Sequence, residues 1–136
     1  MTRDEVLARL TTERAEFDRR IEALDPAVFS RVAAGRVHSP KEILVHVTAY
    51  EQLIVERLRA ARAGTTTAFD RDRIGWEAFN ERLWREAGDV DEDVAKAQAG
   101  DVFAALIAEI SQLTDGDLNG TTDATRALDQ PFSERC

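Results

Sequence analysis

The sequence predicts an all-α protein, an up-and-down bundle of helices with one long crossover. Three observations carry this. Apolar residues recur at spacings of three, four and seven along most of the chain, the period of a helix with one buried face. The alternation of a half-buried strand is nearly absent. Two segments open with side chains that cap a helix start, and the apolar runs end at glycine or proline.

The first helix is expected from about Thr2 to Leu24. Thr2 with Glu5 makes a capping box, and Leu7, Leu10, Phe17, Ile21 and Leu24 form its stripe. Asp25 and Pro26 stop it, and Pro26 is placed to begin a short helical turn through Phe29. The segment HSPKEILVHVTAYEQ holds both histidines, His38 and His46. In it, Ser39, Pro40 and Glu42 supply a cap, a proline at the first helical position and a glutamate at the third. This second long helix should reach Ala63 and end at Gly64, with Ile43, Val47, Tyr50, Ile54 and Leu58 inward. Thr65, Thr66 and Thr67 mark a linker or crossover. A third long helix is expected from about Arg71 to Ala87, with Trp76, Phe79 and Leu83 on one face and Gly88 after it. A fourth runs from about Asp91 to Leu113, with Val102, Phe103, Leu106, Ile110 and Leu113 inward. Beyond Thr114 the periodicity fades, and one short turn from about Asp123 is the most it supports.

Composition narrows the function classes. A chain of 136 residues is read as one domain over 1–136, and 43% hydrophobic with 32% charged residues indicates a globular chain. The net charge of -8 argues against nucleic acid and anionic membrane surfaces as partners. No apolar run approaches the roughly 20 residues needed to cross a bilayer. The start, MTRDEVLARL, has no apolar core of a leader peptide. The lone Cys136 fits a reducing compartment, so a cytoplasmic location is expected.

His46 is the sharpest single residue. It shares one side of its helix with Tyr50, Leu53 and Arg57. A histidine and an arginine on an apolar flank need partners or water. Three readings stay open for His46: a hydrogen-bonded residue at the core edge, a member of a ligand pocket, or a metal ligand. The last is short of donors, since zinc takes about three or four protein ligands and no H-x-x-x-H pair exists. No metal or other cofactor is expected. Trp76 and Asn80 lie one turn apart on the third long helix, as a core or pocket wall and an inward amide. Arg59 and Arg62 are expected on a solvated face. Asp115, Asp117 and Asn119, followed by Gly120, begin like an EF-hand loop. Arg126 at the closing position argues for a plain turn. There is no G-x-S-x-G, P-loop, G-x-G-x-x-G or Cys/His dyad.

Taken together, the segments SPKEILVHV and AYE, the later GWEAFNERLW and the closing ALIAEISQL resemble the ClbS/DfsB group within the DinB-like superfamily. The resemblance covers about Thr2 to Leu118 and implies a four-helix bundle with one long crossover. In metal-binding relatives one histidine comes from the second long helix and two from the last. His46 matches the first, and the other two have no counterpart. His38 stands where relatives carry tryptophan. The final bundle helix is expected to be short or missing, with a homodimer covering the groove it leaves. The resemblance implies a small-molecule-binding or detoxification protein that hydrolyses or sequesters an electrophile. In that reading His46 and Tyr50 orient water or substrate, Arg57 stabilises an anionic group, and Trp76 and Asn80 complete the pocket. The rival reading is a non-catalytic interaction or stress-response bundle.

Overall fold

A computed structural model describes residues 2–65 and 74–119. Every regular element among the described residues is a helix. In chain order they are α1 (Arg3–Glu22), α2 (Pro26–Phe29), α3 (Pro40–Arg62), α4 (Trp76–Ala87), α5 (Glu92–Ser111) and α6 (Asp115–Asn119). The architecture is the all-α helix bundle expected from the sequence. The crossover residues 66–73 and the closing residues 120–136 lie outside the described residues. So do the turn expected near Asp123 and the short or missing final helix, the segment on which the expectation of a homodimer rested.

Both capping boxes form. Thr2 accepts from the Glu5 backbone and Ser39 from that of Glu42, and each glutamate returns to the cap. The same chemistry sets α5, where the Asp91 carboxylate accepts from Asp93 and Val94 N–H. Glycine is required at two ends. Gly64 closes α3 at φ +71, and Gly75 leads into α4 at φ +89, a left-handed backbone that side chains rarely adopt. Beyond Thr114 the chain is more regular than expected. Asp117 N–H donates to Thr114 Oγ1 at 3.0 Å, and Thr114 N–H donates to Asp117 Oδ2 at 2.8 Å, which starts α6. Asp115 Oδ1 accepts from Arg3 N–H at 2.7 Å. That carboxylate therefore caps the positive end of α1 and ties the two ends of the described bundle together.

α3 is the central element, packed most closely on α5 and next on α4. Its main apolar cluster joins Ile54, Val55 and Leu58 to Leu106, Ile110 and Leu113, with Leu7 and Leu10 of α1 against it. A second cluster forms around Phe29, Leu44 and Ala99, where Phe17 and Ile21 pack. The inward stripe of α3 is shifted from the expected one. Leu44 is buried, whereas Ile43 is 42% exposed. Between the two clusters lies Arg14, only 8% exposed. Its guanidinium donates to both Glu51 carboxylate oxygens at 3.0 and 3.1 Å, to Asp18 at 2.9 Å and to the Ala99 carbonyl at 3.0 Å. It also lies 4.6 Å from the Phe103 ring centre. One cation thus joins α1, α3 and α5. Arg59 and Arg62 are exposed, as expected of a solvated face, and both reach across to pair with the buried Glu109 of α5.

Candidate functional site

The bundle leaves a cavity of about 680 Å³ between α3 and α4, with α1 and α5 contributing to its walls. α3 supplies His46, Val47, Tyr50, Glu51 and Ile54, four of them within two helical turns. α4 supplies Trp76, Asn80 and Trp84, which follow one another at four-residue spacing and so share one face. Leu10 and Glu13 of α1 and Leu106 of α5 complete it. Both tryptophans of the chain and its single tyrosine line this one space.

The registry of α4 on α3 is fixed at both ends. Lys41, buried to 8% exposure, donates from Nζ to the Gly88 carbonyl at 3.1 Å, placing a cation at the negative end of α4. Further along, the Tyr50 hydroxyl donates to Asn80 Oδ1 at 2.5 Å. Between these anchors three rings stack. Trp84 lies parallel to His46, with centroids 3.9 Å apart and planes 3° apart, and parallel to His38, at 3.6 Å and 4°. Two imidazoles on one face of the indole at those separations would overlap. His38 and His46 therefore clasp Trp84 from opposite sides. Each such ring pair contributes about 0.5–1.5 kcal/mol beyond its buried area. Tyr50 meets His46 edge-on at 4.9 Å and Trp76 at 5.5 Å, so the aromatic wall is continuous.

Electrostatics give the polar groups distinct states. Burial lowers the His46 imidazole below its usual range, and His38 adds to the effect. His46 Nδ1 is buried and meets no hydrogen-bond partner. Burial pushes the Glu51 carboxyl up despite the Arg14 guanidinium, and Asp18 adds to that rise. Glu42 goes the other way. Burial raises it, but hydrogen bonds from Ser39 and the neighbouring His38 outweigh that and leave it low.

Four residues expected at a pocket, His46, Tyr50, Trp76 and Asn80, are brought together here. Arg57 is buried on α3 but is not among the residues lining the cavity. It shares the angular side of His46, yet eleven residues of helix put it about 16 Å further along the axis. The charged lining residues are the acids Glu13 and Glu51, so the anion-stabilising role expected of Arg57 has no counterpart among the described lining residues. Sequence reasoning missed Trp84 and Glu51. The three-histidine metal set of other relatives does not fit: among the described residues no group of three or more His, Cys, Asp or Glu side chains is placed to hold a metal ion. The aspartates of the EF-hand-like run instead serve as caps, Asp115 at the start of α1 and Asp117 at the start of α6. No helix among the described residues is long and apolar enough to cross a membrane.

Fold and cavity define a helical bundle with an aromatic-walled chamber beside its central helix. The chain belongs to the DinB superfamily, whose sequence model matches residues 9–135. Among solved structures it is similar to the colibactin self-resistance protein ClbS in complex with a double-stranded DNA. The TM-score is 0.74 over 98% of this chain and 90% of that one, at 14% identity. That likeness establishes the shared fold. A comparison with curated proteins finds no match by sequence. The ClbS complex overturns the expectation that nucleic acid is excluded, since a protein of this fold is seen on DNA. The physical reason is that a net charge is an average over the surface, while binding depends on the local field.

Proposed function

We propose that this protein binds a reactive small molecule in the chamber between α3 and α4 and removes it from circulation, by sequestering or hydrolysing it. The observation that carries this reading is the concentration of both tryptophans, the tyrosine and His46 around one cavity of about 680 Å³. A space of that size suits a drug-sized ligand, and mostly apolar walls with a few placed polar groups are the usual make-up of such a site. The likeness in fold to a self-resistance protein supports a protective role. Against the rival reading of an interaction bundle, α4 is pinned over the cavity by Lys41 and Tyr50 rather than packed into it.

The test is a thermal-shift screen of electrophilic natural products and aromatic carbonyl compounds, followed by mass spectrometry of the recovered ligand. Hits that raise the melting temperature of the wild type but not of Trp84→Ala support the site. Recovery of intact ligand means sequestration, and recovery of ligand plus water means hydrolysis. A protein that no compound stabilises, or hits indifferent to Trp84, would sink the reading.

A further inference from the structure

We infer that His46 is held as a neutral hydrogen-bond donor with its proton on Nε2, and that the chamber therefore selects a neutral ligand presenting a carbonyl-type acceptor to that N–H. This deepens the ligand-binding reading above and rests on it for its second half.

Nδ1 of His46 is buried without a partner. A proton there would be a buried donor with no acceptor. A bare lone pair in the same place costs less, and orphaned N–H groups are rarer in proteins than under-used acceptors. The proton therefore belongs on Nε2, the ring nitrogen left to the chamber that His46 lines. The Trp84 face, 3° from parallel, restrains rotation of the imidazole.

Imidazolium formation would put a charge and the orphan donor in the same buried position. The titratable groups around the ring do not offset this. His38 stands across Trp84 and is itself basic, with Glu42 already engaged by Ser39 and His38. Glu51 is engaged by Arg14. Glu13 pairs with Arg9 on α1. Tyr50 spends its proton on Asn80. From α4 and α5 the lining groups are uncharged: Trp76, Asn80, Trp84 and Leu106. With Nδ1 bare and Nε2 protonated, His46 has no lone pair to offer the chamber. It is a donor to an oxygen, not a base towards water.

Asn80 makes the wall consistent. Its Oδ1 is taken by the Tyr50 hydroxyl, which turns the NH₂ end to its other side as a second donor. The charged lining residues among those described are both acids, already paired with Arg9 and Arg14, which do not line the chamber, so a carboxylate ligand finds no counter-charge there where a carbonyl meets donors. The class this arrangement fits is a neutral, largely planar molecule with a ketone, amide or lactam oxygen.

Two measurements test this on the full-length chain. Nitrogen NMR of the two histidine side chains, assigned with a His38→Gln variant, reads the tautomer without any ligand. Expected is a neutral His46 with Nε2–H at pH 6.5, the ordinary histidine value. A proton on Nδ1, or ordinary titration of His46, overturns the inference and leaves the cavity reading intact. The second measurement follows tryptophan fluorescence on titration with 2-naphthamide, 2-naphthoate and naphthalene. The amide should bind at least about tenfold more tightly than either of the others, the scale of one hydrogen bond. His46→Gln, whose side-chain nitrogen reaches the Nε2 position, should retain that preference, and His46→Asn should lose it, both variants being checked for native helicity. Preference for naphthoate, or rescue by asparagine alone, overturns the inference. Binding of none of the three, with the NMR result as expected, overturns the ligand half together with the cavity reading.

Discussion

Arg14→Met removes the cation that joins three helices, and the structure sets the scale of the loss. Arg14 is 8% exposed, and the Glu51 side chain it holds is 15% exposed. Methionine keeps much of the apolar stem that packs near Phe17 and Phe103. What disappears is the set of hydrogen bonds to Glu51, Asp18 and Ala99. The Asp18 bond is partly exposed and contributes little. The Ala99 carbonyl keeps its helical partner. The large term is Glu51, left partly buried without its counter-charge. Breaking one side of a buried pair costs about 3–5 kcal/mol, and the opening of the chamber to water puts this case near the lower figure, about 3 kcal/mol. That is a sizeable share of the total stability of a domain this small and lowers its melting temperature by roughly 10 °C. Burial already pushes the Glu51 carboxyl up with Arg14 in place, so the pair repays its own desolvation poorly. It follows that Arg14→Met with Glu51→Leu should recover most of the loss. Urea unfolding followed by circular dichroism measures all three proteins. A single variant within about 0.5 kcal/mol of wild type, or a double variant no better than the single, would refute the reasoning.

Three further expectations follow from the site. Because the folded-state pKa of His46 lies below its usual 6.5, the unfolded chain takes up that proton first as pH falls. The His46 contribution is therefore fully present above 6.5 and is lost as pH drops from there through the folded-state value. The raised Glu51 acts in the opposite direction as pH falls, so the difference between the stability-pH curves of wild type and His46→Gln isolates the histidine. That difference should change between neutral and mildly acidic pH, and a constant offset would contradict it. Tyr50→Phe should cost about 1 kcal/mol in urea unfolding and should weaken ligand binding by freeing the Asn80 amide. Equal ligand affinity in the two proteins would show that the amide is not held for binding. Lys41→Met should loosen α4 at its Gly88 end, seen as faster backbone amide exchange in α4 than in α5, and unchanged exchange would count against Lys41 as the anchor.

Much of the fold was legible because its signals are local. The Thr2 and Ser39 boxes, Gly64 and the apolar periods name their helices directly. The stripe of α1 also contained its own exception. Leu7, Leu10, Phe17 and Ile21 leave a gap that only position 14 fills, so Arg14 had to be buried, although an apolar count passes over it. The Thr114–Asp117 cap of α6 was equally local but sits in a polar run, where periodicity is silent. The site was half legible. Trp76 and Asn80 share a face, and one more turn reaches Trp84, the ring both histidines clasp. Glu51 escaped because its partner, Arg14, is 37 residues away and no local pattern joins them. Arg57 shows the opposite error, since sharing an angle on a helical wheel says nothing about height along the axis.

The central claim is that a small molecule occupies the chamber between α3 and α4, and the chain carries its own reporters of that. Trp76 and Trp84 are its only tryptophans, and both line the chamber. Titrating nitrogen-labelled protein with 2-naphthamide while following the two indole N–H signals and the His46 ring is the most direct measurement. All three should shift together and saturate with one dissociation constant. Indole signals that stay fixed while surface amides move would place the ligand elsewhere and contradict the claim.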